Sequence, residues 1–277
     1  MDKHYLRLLG ITVAFIFAVI STPWAKADTF LYGSTGDLNS LGGGRLYRID
    51  VTTQNVTLIG NTGFDRLGGI AFNSNGFLYG VSGGSSSEGT HILTIIDPYT
   101  GAANPIGPIS VPNLGVDGLR FNAQDVLYGS AFSFAIGVGR LVTINPANGN
   151  ILSSLTLTGS GNSACAGIAF NPAGTLYASR GNATGRLEDI DLVDQMTGVL
   201  TPIGGLATVI SDIAFALNGI FYGCSPNGDL YSINPVNGNK NFLFNTGINK
   251  LSGLASPLNA RRLPRLPRAR PTPAPRP

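Results

Sequence analysis

From residue 30 onward the apolar residues of this chain fall in short runs, separated by clusters of Gly, Asn, Asp, Ser and Pro. After residue 27 no stretch alternates apolar and polar positions at a 3.6-residue period for more than a turn or two. The pattern therefore predicts short strands joined by tight turns, not amphipathic helices. The runs also repeat. "FLYGS" at Tyr32, "FLYGV" at Tyr79, "VLYGS" at Tyr128, "TLYAS" at Tyr177 and "IFYGC" at Tyr222 are spaced by 47, 49, 49 and 45 residues. A period of that size in a strand-rich chain points to propeller blades.

Each unit holds four strand-sized runs. The innermost is "GIAF" at 69–72, with counterparts at 118–121, 167–170, 212–215 and, as "GLAS", 253–256. The second is the Leu-Tyr-Gly run. The third reads "RLYRID" (45–50), "ILTIID" (92–97), "RLVTIN" (140–145), "RLEDIDLVD" (186–194) and "DLYSIN" (229–234), and the fourth begins with "VTLIG" (56–60). Between third and fourth lie "DPYTG", "NPANG", "DQMTG" and "NPVNG". In these turns Asp or Asn opens through its side chain, Pro presets φ where it is present, and Gly takes the left-handed conformation. The first unit has no innermost strand, whereas "LSGLAS" (251–256) follows the fifth unit without partners of its own. Placing that segment beside "FLYGS" closes a ring and removes two exposed sheet edges. The prediction is an all-β, five-bladed β-propeller in which a C-terminal strand completes the first blade. Small Gly and Ala of the inner strands let the blades approach, while Ile and Phe pack between sheets.

The segments "LYRIDVTTQNVTLIG", "GGIAFNSNGFLYGV" and "GIAFNPAGTLYAS" resemble the repeat of secreted bacterial β-propeller proteins, written L-Y-x-I-D-P-x-T-G, then G-I-A-F-x-P-x-G-x-L-Y-G. The resemblance covers residues 30–256. It implies the architecture and little about activity, since most of that family has no known function. Members often end in a Pro-Glu-Pro sorting tail with a short apolar helix, and this chain departs from them there.

Composition sharpens the picture in three places. Residues 1–27 read as a signal peptide: a net-positive start, the apolar run "LLGITVAFIFAVI", and Ala25-Lys26-Ala27 as the small-x-small cleavage pattern. That run of 13 is too short for a bilayer-spanning helix, so no membrane span is expected after cleavage. The expected location is secreted, periplasmic or at the cell surface. The net charge of +3 is unevenly placed, with nine Lys/Arg against fourteen Asp/Glu over residues 28–258, the propeller domain. Residues 259–277 carry six Arg, six Pro and no acid, and are expected to be disordered. An acidic body argues against nucleic acid as the main partner.

In a propeller, the first-to-second and third-to-fourth turns share one face, here short and stereotyped. The second-to-third loops and the blade-to-blade links share the other, and they vary: 35–44, 83–90, 131–138, 181–184 and 225–228. Recognition is expected on that variable face, at the channel mouth. Asp117 and Asp212, which flank or replace the first Gly of their inner strands, should point there, with Asp65, Arg66 and Arg180 nearby; the competing role for all five is capping turns or binding backbone amides. Cys165 and Cys224 are the only cysteines, and two readings stay open, a disulfide between neighbouring blades or plain core. His91 is the one histidine outside the leader and reads as a strand-edge residue. The acidic run Glu188, Asp189, Asp191 and Asp194 alternates faces, which argues against a calcium site. No metal site, cofactor or catalytic group is assigned. The expected function is a non-catalytic, monomeric binding module for an extracellular glycan, peptide or protein. The alternatives are a glycan or lactone hydrolase using channel-mouth carboxylates, and a purely structural envelope or matrix protein.

Overall fold

The computed structural model describes residues 29–36, 43–82, 91–109, 111, 115–133, 138–159, 165–180, 188–206, 208–257 and 263. The expected leader and nearly all of the Arg/Pro tail lie outside those residues. Among the described residues there are twenty strands and no helix, arranged as five four-stranded antiparallel sheets.

The first blade contains β1 (Phe30–Thr35), β2 (Arg45–Asp50) and β3 (Val56–Asn61). The second comprises β4 (Leu67–Phe72), β5 (Leu78–Ser82), β6 (His91–Ile96) and β7 (Ala103–Ile109). The third comprises β8 (Gly115–Phe121), β9 (Leu127–Ser133), β10 (Val138–Ile144) and β11 (Ile151–Thr156). The fourth holds β12 (Cys165–Phe170), β13 (Leu176–Arg180), β14 (Glu188–Val193) and β15 (Leu200–Leu206). The fifth holds β16 (Asp212–Phe215), β17 (Phe221–Cys224), β18 (Asp229–Ile233) and β19 (Lys240–Asn245). The last strand, β20 (Leu251–Ala255), pairs antiparallel with β1 through Tyr32–Ala255, Gly33–Leu254 and Ser34–Gly253, so the ring closes as the repeat predicts.

Turn chemistry sets the blade geometry. Asp97 Oδ1 accepts the amides of Tyr99 and Thr100, and Asp194 Oδ1 those of Met196 and Thr197, before Gly101 and Gly198 turn the chain at φ +77° and +76°. In the first blade the Gly is missing and Gln54 adopts φ +61° instead. The outer strand β7 carries Pro105 and Pro108, which lack ladder donors and so discourage edge pairing.

Five apolar cores lie between successive blades. The joint of blades 1 and 2 buries Leu46, Leu67, Ile70 and Phe72, and the closing joint of blades 5 and 1 buries Leu31, Ile49, Leu230 and Leu254. Four joints share an aromatic pair, a second-strand Tyr against an inner-strand Phe of the next blade: Tyr32–Phe72, Tyr79–Phe121, Tyr128–Phe170 and Tyr177–Phe215, with centroids 5.1 to 5.4 Å apart. At the closing joint the Phe position holds Ser256, and Tyr222 instead accepts a hydrogen bond from Asn218 Nδ2 at 3.0 Å.

Three inner strands begin two or three residues earlier than the repeat motif suggests. Their registers with the second strands shift between Leu67 and Ile70, Val116 and Leu119, and Cys165 and Ile168. The extra residues form bulges held by serines. Ser130 Oγ accepts the Gly118 amide of its own blade and donates to Ala166 O of the next, and Ser34 Oγ donates to Gly68 O. The blades meet at these bulges: a Cβ on Gly69 or Gly118 would collide with the neighbouring blade's backbone. That fixes Gly at both positions.

Candidate functional site

The inner strands line a central channel, and their aligned positions form layers along it. From the variable face inward, the first layer is Gly68, Asp117, Ala166, Ser211 and Ser252, followed by Gly69, Gly118, Gly167, Asp212 and Gly253. Two positions further on, the repeat writes Ala71, Ala169, Ala214 and Ala255, but blade 3 writes Arg120.

Arg120 is buried, and its side chain reaches across the channel. Nε donates to Ile168 O at 3.0 Å, and Nη2 donates to Ile213 O at 2.6 Å and Leu254 O at 2.9 Å. These acceptors belong to blades 4, 5 and 1, on inner strands whose channel-side edge has no further strand. Asp212 joins the same strut. Its Oδ2 accepts the Leu254 amide and its Oδ1 the Ile213 amide, each at 2.8 Å, and Arg120 Nη2 lies 3.8 Å from Oδ1. Burial pushes the Asp212 carboxyl up to about 7, while Arg120 and the two amides pull the other way. Of the two roles the sequence offers Asp212, it takes the binding of backbone amides, through both oxygens.

Above this strut the variable-face mouth opens into a cavity of about 330 Å³. Asp117, Ser211, Phe132, Asn227, Asn249 and Lys250 are among its lining residues. Arg66 Nη2 donates to Asp117 Oδ2 at 2.6 Å, with the two side chains 15% and 18% exposed. Asp117 Oδ1 and Ser211 Oγ are buried without a hydrogen-bond partner among the described residues. An unpaired buried polar atom costs about 1–3 kcal/mol. His91, at the start of β6, packs beside this cluster with 4% exposure, and burial lowers its pKa against the opposing pull of Asp117. Lys250 takes a left-handed φ of +62°, uncommon for a residue with a Cβ.

The structure therefore brings together Arg66 and Asp117 at the mouth, sets Asp212 just beneath, and leaves the other two candidates apart. Asp65 is exposed in the segment before β4. Arg180 makes a bidentate pair with Asp191 inside blade 4, Nε to Oδ2 and Nη2 to Oδ1 at 3.0 Å each, both side chains buried. Of the variable loops expected to carry recognition, 83–90, 181–184, most of 35–44 and half of 131–138 lie outside the described residues. Among the described residues no three His, Cys, Asp or Glu side chains gather to hold a metal ion.

The disulfide reading is corrected. Cys165 and Cys224 are not bridged; each is buried in a different inter-blade core, Cys165 with Leu141 and Leu176 between blades 3 and 4, Cys224 with Leu31 and Leu251 between blades 5 and 1. Blades 4 and 5 stand between them. Burial pushes both thiols up, which keeps them protonated.

Arg120 was missed by sequence reasoning, although a signal existed: a cation in the one inner-strand register that is otherwise alanine.

The fold and the channel define a β-propeller repeat protein of unknown function. A family model described as a repeat of unknown function (DUF6923) matches residues 118–252, which span blades 3 to 5 and the first residues of β20. No curated protein matches the sequence. Among solved structures, the chain is similar to one from a nidogen/laminin complex, at 10% identity and TM-score 0.53, covering 82% of this chain and 97% of that one. It is also similar to a putative 6-phosphogluconolactonase from Bacteroides fragilis (10% identity, TM-score 0.48, 83% and 98% covered). A periplasmic gluconolactonase from Pseudomonas aeruginosa gives 11% identity, TM-score 0.47, and 82% and 98% covered. At its identity the first of these speaks for the fold alone.

Proposed function

We propose that the chain is an exported, non-catalytic propeller that binds a saccharide in the variable-face mouth of its channel. One observation carries this reading: Asp117 Oδ1 and Ser211 Oγ, two buried polar atoms without partners among the described residues, belong to side chains lining the same cavity. Natural structures satisfy nearly all such atoms, so a pair of exceptions in one concavity calls for a ligand that supplies the missing bonds. The chemistry is that of a polyol. A carboxylate accepts from hydroxyls, a serine hydroxyl both donates and accepts, and the amides of Asn227 and Asn249 do both. Phe132 adds an apolar wall. The sequence has a single Trp, within the leader segment, so recognition rests on hydrogen bonds more than on stacking. Export rests on residues 1–27. Glycan hydrolysis would require two carboxylates flanking the bond; Asp212 is held by backbone amides, and Asp117 is the one carboxylate among the described residues lining this cavity.

A glycan array followed by thermal-shift titration of the purified chain tests the reading. A saccharide should raise the melting temperature, and Asp117→Asn and Ser211→Ala should each weaken its binding about tenfold or more. A purely structural role would leave every saccharide without effect, and binding that survives both substitutions would place the site elsewhere.

A further inference from the structure

The opposite mouth, on the stereotyped turn face, is built differently. Each inner strand of blades 2 to 5 ends in Phe, and Phe72, Phe121, Phe170 and Phe215 all line one cavity of about 310 Å³. Four of five blades thus contribute an aromatic collar, and blade 1 interrupts it with Ser256. Arg120 also lines this cavity, so it reaches the floor beneath the collar, and it is the one charged residue among the described residues lining it.

The guanidinium there is incompletely satisfied. Nε and Nη2 go to three carbonyls, whereas Nη1 has no acceptor among the described residues; Arg120 keeps 7% exposure and lines the cavity. The acceptors it does have are neutral, and the nearest carboxylate, Asp212, is 3.8 Å from Nη2 with both oxygens already accepting amides. A positive charge therefore sits at the bottom of an apolar funnel with one donor nitrogen still available. Ser256 Oγ, at the gap in the collar, donates only a long 3.4 Å bond to Pro257 O, which a better acceptor would displace. The two donors and the aromatic walls complement one kind of molecule, an anionic head on an apolar body.

We propose that the turn-face mouth is a second binding site, for a small apolar carboxylate whose oxygens meet Arg120 Nη1 and Ser256 while its ring or chain lies within the collar of Phe72, Phe121, Phe170 and Phe215. It is separate from the saccharide site. The Arg120–Asp212 strut divides the two cavities, whose described linings share no residue.

The test is isothermal titration and saturation-transfer NMR of the full chain with trans-cinnamate and hexanoate, with cinnamamide as the neutral counterpart of cinnamate. At least one of the carboxylates should bind, and cinnamamide should bind about tenfold or more weaker than cinnamate, because it loses the charge-assisted bond. Arg120→Met should abolish binding, but that variant also removes a structural strut. Ala123→Trp, at an exposed rim position, fills the mouth and should abolish binding with the melting temperature retained. Asp117→Asn should leave carboxylate binding intact, which separates this site from the saccharide reading. The proposal is overturned if neither carboxylate binds, if cinnamamide binds as tightly as cinnamate, or if Ala123→Trp binds like the wild type.

Discussion

The two mouths of one channel are made from the same five inner strands, yet they obey opposite rules. At the turn face the repeat is kept, and Phe closes four blades out of five. At the variable face it is abandoned, and the five aligned positions carry Gly68, Asp117, Ala166, Ser211 and Ser252. Repetition serves packing, because four of the five joints use the same aromatic wedge between twisted sheets. Departure from repetition marks places where packing no longer dictates the residue, and polar chemistry can enter there. Arg120 and Asp212 are departures of another kind, placed midway, where they tie blades 3, 4, 5 and 1 through backbone groups.

The comparison is broken most severely by removing that tie. Arg120→Met leaves the carbonyls of Ile168, Ile213 and Leu254 without their donor and Asp212 without its countercharge, so urea denaturation should show a loss of about 3–5 kcal/mol. A loss below about 1 kcal/mol would mean that water replaces the guanidinium and that the channel is not a dry strut.

Truncating the collar comes next. Phe121→Ala empties a buried wedge against Tyr79 and should cost about 3 kcal/mol, whereas Ser211→Ala at the other mouth should cost nothing and gain about 1 kcal/mol, because its buried hydroxyl is already unpaired. Equal losses at the two mouths would erase the distinction between a packed rim and a polar one.

Asp117→Asn probes the polar rim itself. It removes a partly exposed ion pair with Arg66, so the expected stability loss is at most about 1 kcal/mol, in contrast to its large expected effect on saccharide binding. A variant that unfolds would reassign Asp117 from recognition to structure.

The smallest effect is a pH dependence. Burial depresses the pKa of His91 in the folded state, so the folded protein prefers its neutral form. Its contribution is fully present above the ordinary histidine value of about 6.5 and is lost as pH falls through the lower folded value. Melting temperatures of wild type and His91→Gln, measured from pH 8 to pH 5, should converge or cross toward acid. Parallel curves would show that Asp117 cancels the burial of His91.

Much of the architecture was legible in the chain. The five Leu-Tyr-Gly runs, the Asx-opened turns and the unpartnered "LSGLAS" segment led to five blades and their closure, because each is a local pattern repeated at nearly constant spacing. The inner-strand bulges were less visible. Gly68, Asp117 and Ala166 share no residue type, and what defines them is a register shift against the next strand. The site was legible only in part. Asp117 and Arg66 do meet at the mouth, but Arg180 turned inward to Asp191, and Asp212 was taken up by the backbone of β20.

By itself, then, the sequence determined where strands start, how they turn, and that the last one must return to the first. Burial of an alternating apolar face and the φ preferences of turn residues act within a few positions, and the order of residues records them directly. The tertiary structure alone decided the partners of Arg120, which lie 48, 93 and 134 positions away. Ring closure alone brings those carbonyls to a common axis, and no local preference encodes a contact made across a channel.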